Sequence, residues 1–178
     1  MINYKKKLKK ENWINPKIKV RKSSVQGKGM FAIDLIKKGE VLIVWGGDWG
    51  IHYTDSKKKA EKAKLNKCKL VIQWDDNLFS IESRGRNRDW GYCINHSCNP
   101  NSWVRDAFTL VARRNIKAGQ EITVDYVLLG DVLQECKCGS LLCRGKITSK
   151  DWKLPELQRR YKNHFTPYLK KKILKALE

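Results

Sequence analysis

The sequence predicts a mainly β fold whose helices gather at the C-terminal end. Short apolar or alternating runs recur from Ile18 to Val127, each closed by a Gly, Asp or Asn turn signal, which is the pattern of short strands and not of long helices. Helix starts with Pro at the first position appear only at Pro155 and Pro167. With 178 residues, 41% of them hydrophobic and including seven Trp, six Tyr and four Phe, the chain has the apolar surface for one packed domain and is short for two.

Residues 1–16 read as a basic lead-in containing Lys5 to Lys10. Ile18 and Val20 then alternate with polar residues into Gln26-Gly27-Lys28-Gly29, a strand and a tight turn, and another strand begins at Met30. Val41 to Trp45 is a short buried strand between the turn signal Lys37-Lys38-Gly39-Glu40 and Gly46-Gly47. Thr54 or Asp55 can cap a helix running to about Lys67; made of Lys, Ala, Glu and Asn with little apolar face, it belongs on the surface, in an insert of about residues 52–75. Leu70 to Trp74 and Leu78 to Glu82 read as strands joined by the hairpin-turn composition Asp75-Asp76-Asn77. Ser102 to Arg105, Ala107 to Arg113 and Ile122 to Val127 continue the series. Pro155 and Pro167, the latter directly after the capping residue Thr166, open two helices within residues 150–178. No internal repeat is visible, and no low-complexity linker apart from the lysine runs.

Lys and Arg outnumber Asp and Glu by 38 to 18. A formal charge of +20 draws so small a protein toward polyanions or acidic surfaces, so nonspecific attraction to nucleic acid is expected. Lysine runs such as Lys57 to Lys69 and Lys170 to Lys175 are also what solvated helix faces look like. No apolar h-region follows Met1, and no stretch approaches the roughly 20 apolar residues of a membrane span. The expectation is a monomeric cytoplasmic protein, nuclear if eukaryotic, with no membrane partner. Its six cysteines are then reduced, and clustered ones are metal ligands before they are disulfides.

Cys136-Lys137-Cys138-Gly139-Ser140-Leu141-Leu142-Cys143 packs three thiols into one polar segment, with a glycine that lets the backbone turn around an ion. A closed structural zinc site needs four ligands, so a fourth must come from elsewhere, and Cys98, Cys93, Cys68, His96 and His52 are the candidates. The alternative is three reduced cysteines with no metal. Cys68 and Cys93 stand alone in apolar or mixed segments and read as small buried hydrophobes.

Asn95-His96-Ser97-Cys98-Asn99-Pro100-Asn101 is dense in side chains that bond to backbone and makes a shaped polar loop. Together with Glu121-Ile122-Thr123-Val124-Asp125-Tyr126 further along, it resembles the two signature motifs of the SET-domain lysine methyltransferases, in the family's order and separation. Gln26-Gly27-Lys28-Gly29-Met30-Phe31 looks like that family's donor-binding turn, and Ile116-Lys117-Ala118-Gly119-Gln120-Glu121 like its connecting turn. Cys136-x-Cys138-x4-Cys143-Arg144-Gly145 is similar to the post-SET zinc motif. The resemblance covers about residues 17–146.

The resemblance implies a SET-domain fold of small sheets around a pseudoknot over residues 17–127, a post-SET zinc segment over 131–146, and C-terminal helices. It implies an enzyme that uses S-adenosylmethionine to methylate lysine in a protein, a histone among the candidates. Asn95, His96, Lys28, Gly29 and Met30 are then donor-binding, and Cys98 joins Cys136, Cys138 and Cys143 around one structural zinc. Tyr126 matches the active-site tyrosine. Trp152 is the candidate cover for the donor's adenine, with Leu141 and Leu142 as competitors.

The sequence also departs from the family pattern. Trp45 stands at a substrate-channel position where Tyr is frequent, Tyr92-Cys93 replaces Arg-Phe, and Val124 replaces an aromatic before Asp125, which implies room for more than one methyl group. Val41 to Gly50 superficially resembles the glycine-rich loop of doubly wound methyltransferases, but its glycine spacing is wrong and the chain lacks alternating strands and helices. The contrasting expectation is a noncatalytic, zinc-stapled basic module that binds nucleic acid or an acidic protein.

Overall fold

The structure is a computed structural model that describes residues 12–46, 51–54, 56–65, 71–76, 78–82, 93–130 and 134–176. Residues 1–11 of the lead-in, Gly47, Asp55, Cys68, Asn77 and Tyr92 lie outside the described residues. In chain order come strands β1 (Trp13–Ile14), β2 (Ile18–Lys22), β3 (Lys28–Ala32), β4 (Val41–Val44) and β5 (Ile51–Thr54), then helix α1 (Lys57–Leu65). Strands β6 (Val71–Asp75), β7 (Leu78–Glu82), β8 (Asn95–His96), β9 (Ser102–Val104), β10 (Thr109–Ala112) and β11 (Glu121–Val124) follow. The tail holds β12 (Gln134–Glu135), β13 (Lys146–Ile147), α2 (Pro155–Tyr161) and α3 (Pro167–Lys175).

These strands form small sheets in the orders β1-β4-β10-β9, β2-β3-β11-β8, β5-β7-β6 and β12-β13. The mainly β expectation holds, and the strand boundaries shift for local reasons. Gly27, at φ +50°, makes the turn, so pairing runs from Ile18 with Ala32 through Lys22 with Lys28, and β3 begins at Lys28, before Met30. The strand expected over Ile122–Val127 stops at Val124, because the Asp125 carboxylate accepts the Val127 N–H at 3.2 Å and opens a 3-10 turn over Tyr126–Leu128. For α1, Thr54 closes β5, and Ser56 Oγ accepts the Lys59 N–H at 3.3 Å. Ala60 of α1 packs on Phe79 in a small cluster beside the main core.

One feature overturns the expectation of no internal repeat. Ile36 and Ile116 exchange both backbone hydrogen bonds, N–H to carbonyl at 2.9 and 2.8 Å. Each is followed three residues later by a glycine in the left-handed region, Gly39 at φ +83° and Gly119 at φ +84°. Gly39 donates to Ala112 and Gly119 to Ala32, both at 2.8 Å. Ala32-x3-Ile36-Lys37-x-Gly39 and Ala112-x3-Ile116-Lys117-x-Gly119 are thus two copies of one strand-and-turn unit, each stapling the other. Both isoleucines are fully buried, and with Met30, Leu42, Ile43, Leu110, Ile122 and Val124 they fill the main core.

Pro155 and Pro167 do occupy first helical turns. The Thr166 hydroxyl, however, makes no capping bond and is buried without a hydrogen-bond partner among the described residues, while its N–H reaches the Leu128 carbonyl at 3.3 Å. Among the described residues no helix is long and apolar enough to cross a membrane.

Candidate active site and thiol cluster

The two motifs meet where β8 runs parallel to β11, Asn95 opposite Thr123 and His96 opposite Val124. Asn101 fastens the junction: its amide donates to the Glu121 carbonyl at 2.8 Å and its oxygen accepts the Thr123 N–H at 2.9 Å. Ser102 Oγ adds a bond to the Thr123 carbonyl at 2.8 Å. Tyr126 emerges at the end of β11, its hydroxyl donating to the Ile94 carbonyl at 3.0 Å and its N–H to His96 Nδ1 at 3.2 Å. Burial, and then the Glu121 charge, push the Tyr126 phenol up to about 12, so it is protonated at neutral pH. Burial likewise pushes His96 down to about 4 against the pull of Asp125, so its imidazole is neutral. Since Nδ1 accepts from Tyr126, the one ring proton sits on Nε2, 3.3 Å from Cys98 Sγ.

The Glu121 carboxylate is a second node. It accepts Ser23 Oγ at 2.8 Å and Asn95 Nδ2 at 2.6 Å, while the Asn95 amide also donates to the Gln26 and Lys28 carbonyls, each at 3.2 Å. A Cβ on Gly29 would collide with Glu121 Oε1, so the absent side chain makes room for this carboxylate. The β2–β3 turn is thereby fixed against both motifs. Beside it opens a cavity of about 270 Å³, lined by Val25, Gln26 and His96 on one side and by the tail residues Gln134 to Cys138 on the other.

Two segments, the Cys98 loop and the tail from Cys136 to Cys143, converge in the thiol cluster. Cys98 and Cys136 sulfurs are 3.7 Å apart, as are those of Cys136 and Cys143, and the Cys138 sulfur accepts the Cys98 N–H at 3.4 Å. His96 Nε2 and the sulfurs of Cys98, Cys136 and Cys138 lie within 4.8 Å of one another, a donor group able to hold a metal ion. Burial raises the Cys98 thiol to about 11; burial acts the same way on Cys138, but N–H donors from Cys98 and Ser140 outweigh it and bring that thiol to about 7. The 3.7 Å separations equal the edge of a zinc–thiolate tetrahedron, about 3.8 Å for Zn–S bonds of about 2.3 Å.

Arg144 ties this tail to the active-site strand. Its guanidinium makes two parallel bonds to Asp125, both 2.8 Å, and Nε reaches Asp151 at 3.0 Å. Tyr161 of α2 donates to the same Asp125 at 2.8 Å. Asp125 is fully buried, yet each oxygen is satisfied.

The SET domain family model matches residues 27–127. The chain belongs to the SET-domain family. Among curated relatives, the histone-lysine N-methyltransferase ASHH3 of Arabidopsis thaliana is 30% identical over 145 residues, covering 75% of this chain and 39% of that protein. The histone-lysine N-methyltransferase trithorax of Drosophila virilis is 29% identical over 134 residues, 70% of this chain and 3% of its own length. The chain thus spans only a minor part of the relatives it matches. Among solved structures, the methyltransferase domain of human histone-lysine N-methyltransferase SETMAR shares the fold, with a TM-score of 0.55 and 18% identity over 74% of this chain and 58% of that one.

Within this SET domain, Asn95, His96, Tyr126 and the four cysteines expected from the sequence are brought together, and the cavity lies between the turn and the tail. The cavity's lining takes Val25 and Gln26, while Lys28 contributes its carbonyl to Asn95, Gly29 faces Glu121 and the Met30 side chain is fully buried. Trp45 and Val124 are also buried in the main core, Trp45 tilted against Trp74 at 5.4 Å. Trp152 is 6% exposed, packed in the same core, with the Lys172 ammonium 4.9 Å from its ring, whereas Leu141 stands fully exposed in the thiol segment and Leu142 partly so. Cys93 packs against the core as a half-buried hydrophobe. Glu121, Asp125 and Tyr161 had no assigned role in the sequence, and Arg144 was visible only as part of the cysteine motif.

Proposed function

We propose that this SET domain transfers a methyl group from S-adenosylmethionine to the side-chain amine of a lysine in a protein substrate. The observation that carries this is the junction itself: the Tyr126 hydroxyl is bonded to the Ile94 carbonyl, directly before the Asn95-His96 pair, of which His96 lines the cavity. The residues around that cavity suit the donor, since Lys137 and Glu135 offer both charges that its amino-acid end carries, and Gln26 and the tail supply polar groups. S-adenosylmethionine supplies a methyl group on a sulfonium, open to displacement by a neutral amine.

The chain's own contribution is placement and charge control. A lysine amine has an ordinary pKa near 10.4 and must arrive neutral, and a buried, largely apolar surrounding disfavours its charged form. Tyr126 is not the base, because burial keeps its proton in place. With its O–H donating a hydrogen bond to the Ile94 carbonyl, the phenol oxygen remains an acceptor that orients an amine N–H. Val124 next to Asp125, smaller than an aromatic, is read as leaving room for more than one methyl group. A histone is a candidate substrate because the curated relatives above are named for that activity, and a nuclear location goes with that substrate.

Cys98, Cys136, Cys138 and Cys143 are proposed to hold one structural zinc, supported by the 3.7 Å sulfur separations. His96 is the competing fourth donor. Its proton assignment argues against it: Nε2 carries hydrogen and can donate to the Cys98 thiolate, but it has no lone pair for a metal. Calorimetry with S-adenosylmethionine tests the donor site. Saturable binding that Asn95→Ala weakens by about tenfold or more is expected; no binding by folded, zinc-loaded protein would favour a noncatalytic module.

A further inference from the structure

Arg113 and Arg114 follow β10, Arg160 lies in α2, and all three guanidiniums turn to one loop. Arg113 Nη1 donates to the Asn99 side-chain oxygen at 3.4 Å and the Pro100 carbonyl at 3.2 Å. Arg114 reaches the Pro100 and Asn99 carbonyls at 2.9 and 3.2 Å, and Arg160 the Cys98 carbonyl at 3.0 Å. Every one of these acceptors is neutral. Such bonds orient a guanidinium without cancelling its charge, and among the described residues no carboxylate pairs with any of the three. Some basic side chains elsewhere are paired: Lys17 with Glu40, Arg105 with Asp106, Arg144 with Asp125 and Asp151, and Lys171 with Asp75 and Asp76.

The cluster is also held rigid. The Arg113 guanidinium lies 5.7 Å from the Trp103 ring and 5.8 Å from that of Tyr161, and Arg160 is 5.9 Å from Tyr161. Trp103 is stacked on His164 at 3.6 Å and 7° between planes. Burial, and the neighbouring charges of Arg114 and Arg160 against that of Tyr161, hold Arg113 below its ordinary pKa. Cations kept close by neutral oxygens and ring faces repel one another until an anion arrives. Each guanidinium has five N–H donors, and among the described residues Arg113 commits only Nη1, so donors remain for an incoming oxygen.

We propose that Arg113, Arg114 and Arg160 form a docking surface for the phosphate backbone of a nucleic-acid duplex. Forked guanidiniums match phosphate oxygens. A duplex presents phosphates at close, regular spacing, which suits a cluster of fixed cations on a chain of net charge +20 better than the scattered carboxylates of a folded protein. The surface is independent of methyl transfer and holds whether or not the cavity binds a donor.

Fluorescence anisotropy with a labelled mixed-sequence DNA duplex tests it on the full chain. One variant carries Arg113→Gln, Arg114→Gln and Arg160→Gln; a control removes the same charge from β2 with Lys19→Gln, Arg21→Gln and Lys22→Gln; a third carries Arg114→Lys and Arg160→Lys. Thermal melting and zinc content establish that each is folded. The cluster variant is expected to weaken binding by about tenfold or more and to flatten the salt dependence by about two to three ions, while the β2 control shifts affinity less than about threefold and the lysine variant, which keeps the charge without the fork, falls between the two. Equal loss from both charge-removing variants, no saturable duplex binding by the wild type, or a labelled polyglutamate peptide binding as tightly as the duplex would each overturn the proposal. If the cluster variant fails to fold, the lysine variant decides: duplex binding by that folded protein unchanged from the wild type also overturns it.

Discussion

The Arg144 guanidinium and the Asp125 carboxylate are joined by two parallel 2.8 Å hydrogen bonds in a place where Asp125 has no access to solvent. Arg144 directly follows Cys143, and its own N–H points at Cys98 Sγ at 3.4 Å. Asp125 directly precedes Tyr126. One ion pair therefore carries the position of the thiol cluster to the residue proposed to orient the substrate amine.

Removing Arg144 leaves a buried carboxylate whose hydrogen-bond donors among the described residues are the Tyr161 hydroxyl and the Val127 N–H. Arg144→Met is expected to lower the unfolding free energy by about 3–5 kcal/mol in chemical denaturation. Arg144→Lys keeps the charge but not the fork, and is expected to recover only part of that loss.

Gly29→Ala forces the Glu121 carboxylate to move, which breaks its bonds from Ser23 and Asn95. A loss of about 1–3 kcal/mol in stability is expected, with weaker donor binding. In a double-mutant cycle with Glu121→Ala the two effects are expected to be strongly non-additive, measured by thermal and chemical unfolding.

The pH dependence of stability follows from His96, whose pKa is about 4 in the fold against about 6.5 when unfolded. Between those values the unfolded chain binds the extra proton, so the contribution is fully present above about pH 6.5 and is lost as pH falls toward 4. Unfolding midpoints are expected to drop over that window. His96→Gln, compared at equal zinc content, is expected to flatten the drop.

Metal analysis is expected to find about one zinc per chain, lost with a strong chelator, with a lower melting temperature on removal. Cys143→Ser is expected to lose metal affinity, whereas His96→Gln is expected to keep the stoichiometry. The reverse pattern would place His96 in the coordination shell.

What the sequence made legible follows its short-range signals. The β2–β3 hairpin shows in the alternation of Ile18 and Val20 before Gly27, and the helix starts show in Pro155 and Pro167. The thiol segment shows in its spacing, while Cys98 and Tyr126 needed the family resemblance to single them out. Glu121 with Gly29 and Arg144 with Asp125 were not legible, because neither charge pattern nor spacing says which distant group a polar side chain will meet. The paired Ile36 and Ile116 turns were missed because identity survives only at the isoleucine, the lysine, the glycine and one alanine of each copy. Thr166 shows the opposite failure: a favourable cap type by composition, whose hydroxyl the fold leaves without a partner among the described residues.

The most direct test is methyl transfer itself: folded, zinc-loaded protein incubated with isotopically labelled S-adenosylmethionine, core histones and a mixed protein extract, in parallel with Tyr126→Phe. Label on lysine with the wild type, reduced about 100-fold or more in a variant of equal stability, is the predicted result. No label on any protein, or transfer undiminished by Tyr126→Phe, would contradict the assignment of this junction as a lysine methyltransferase site.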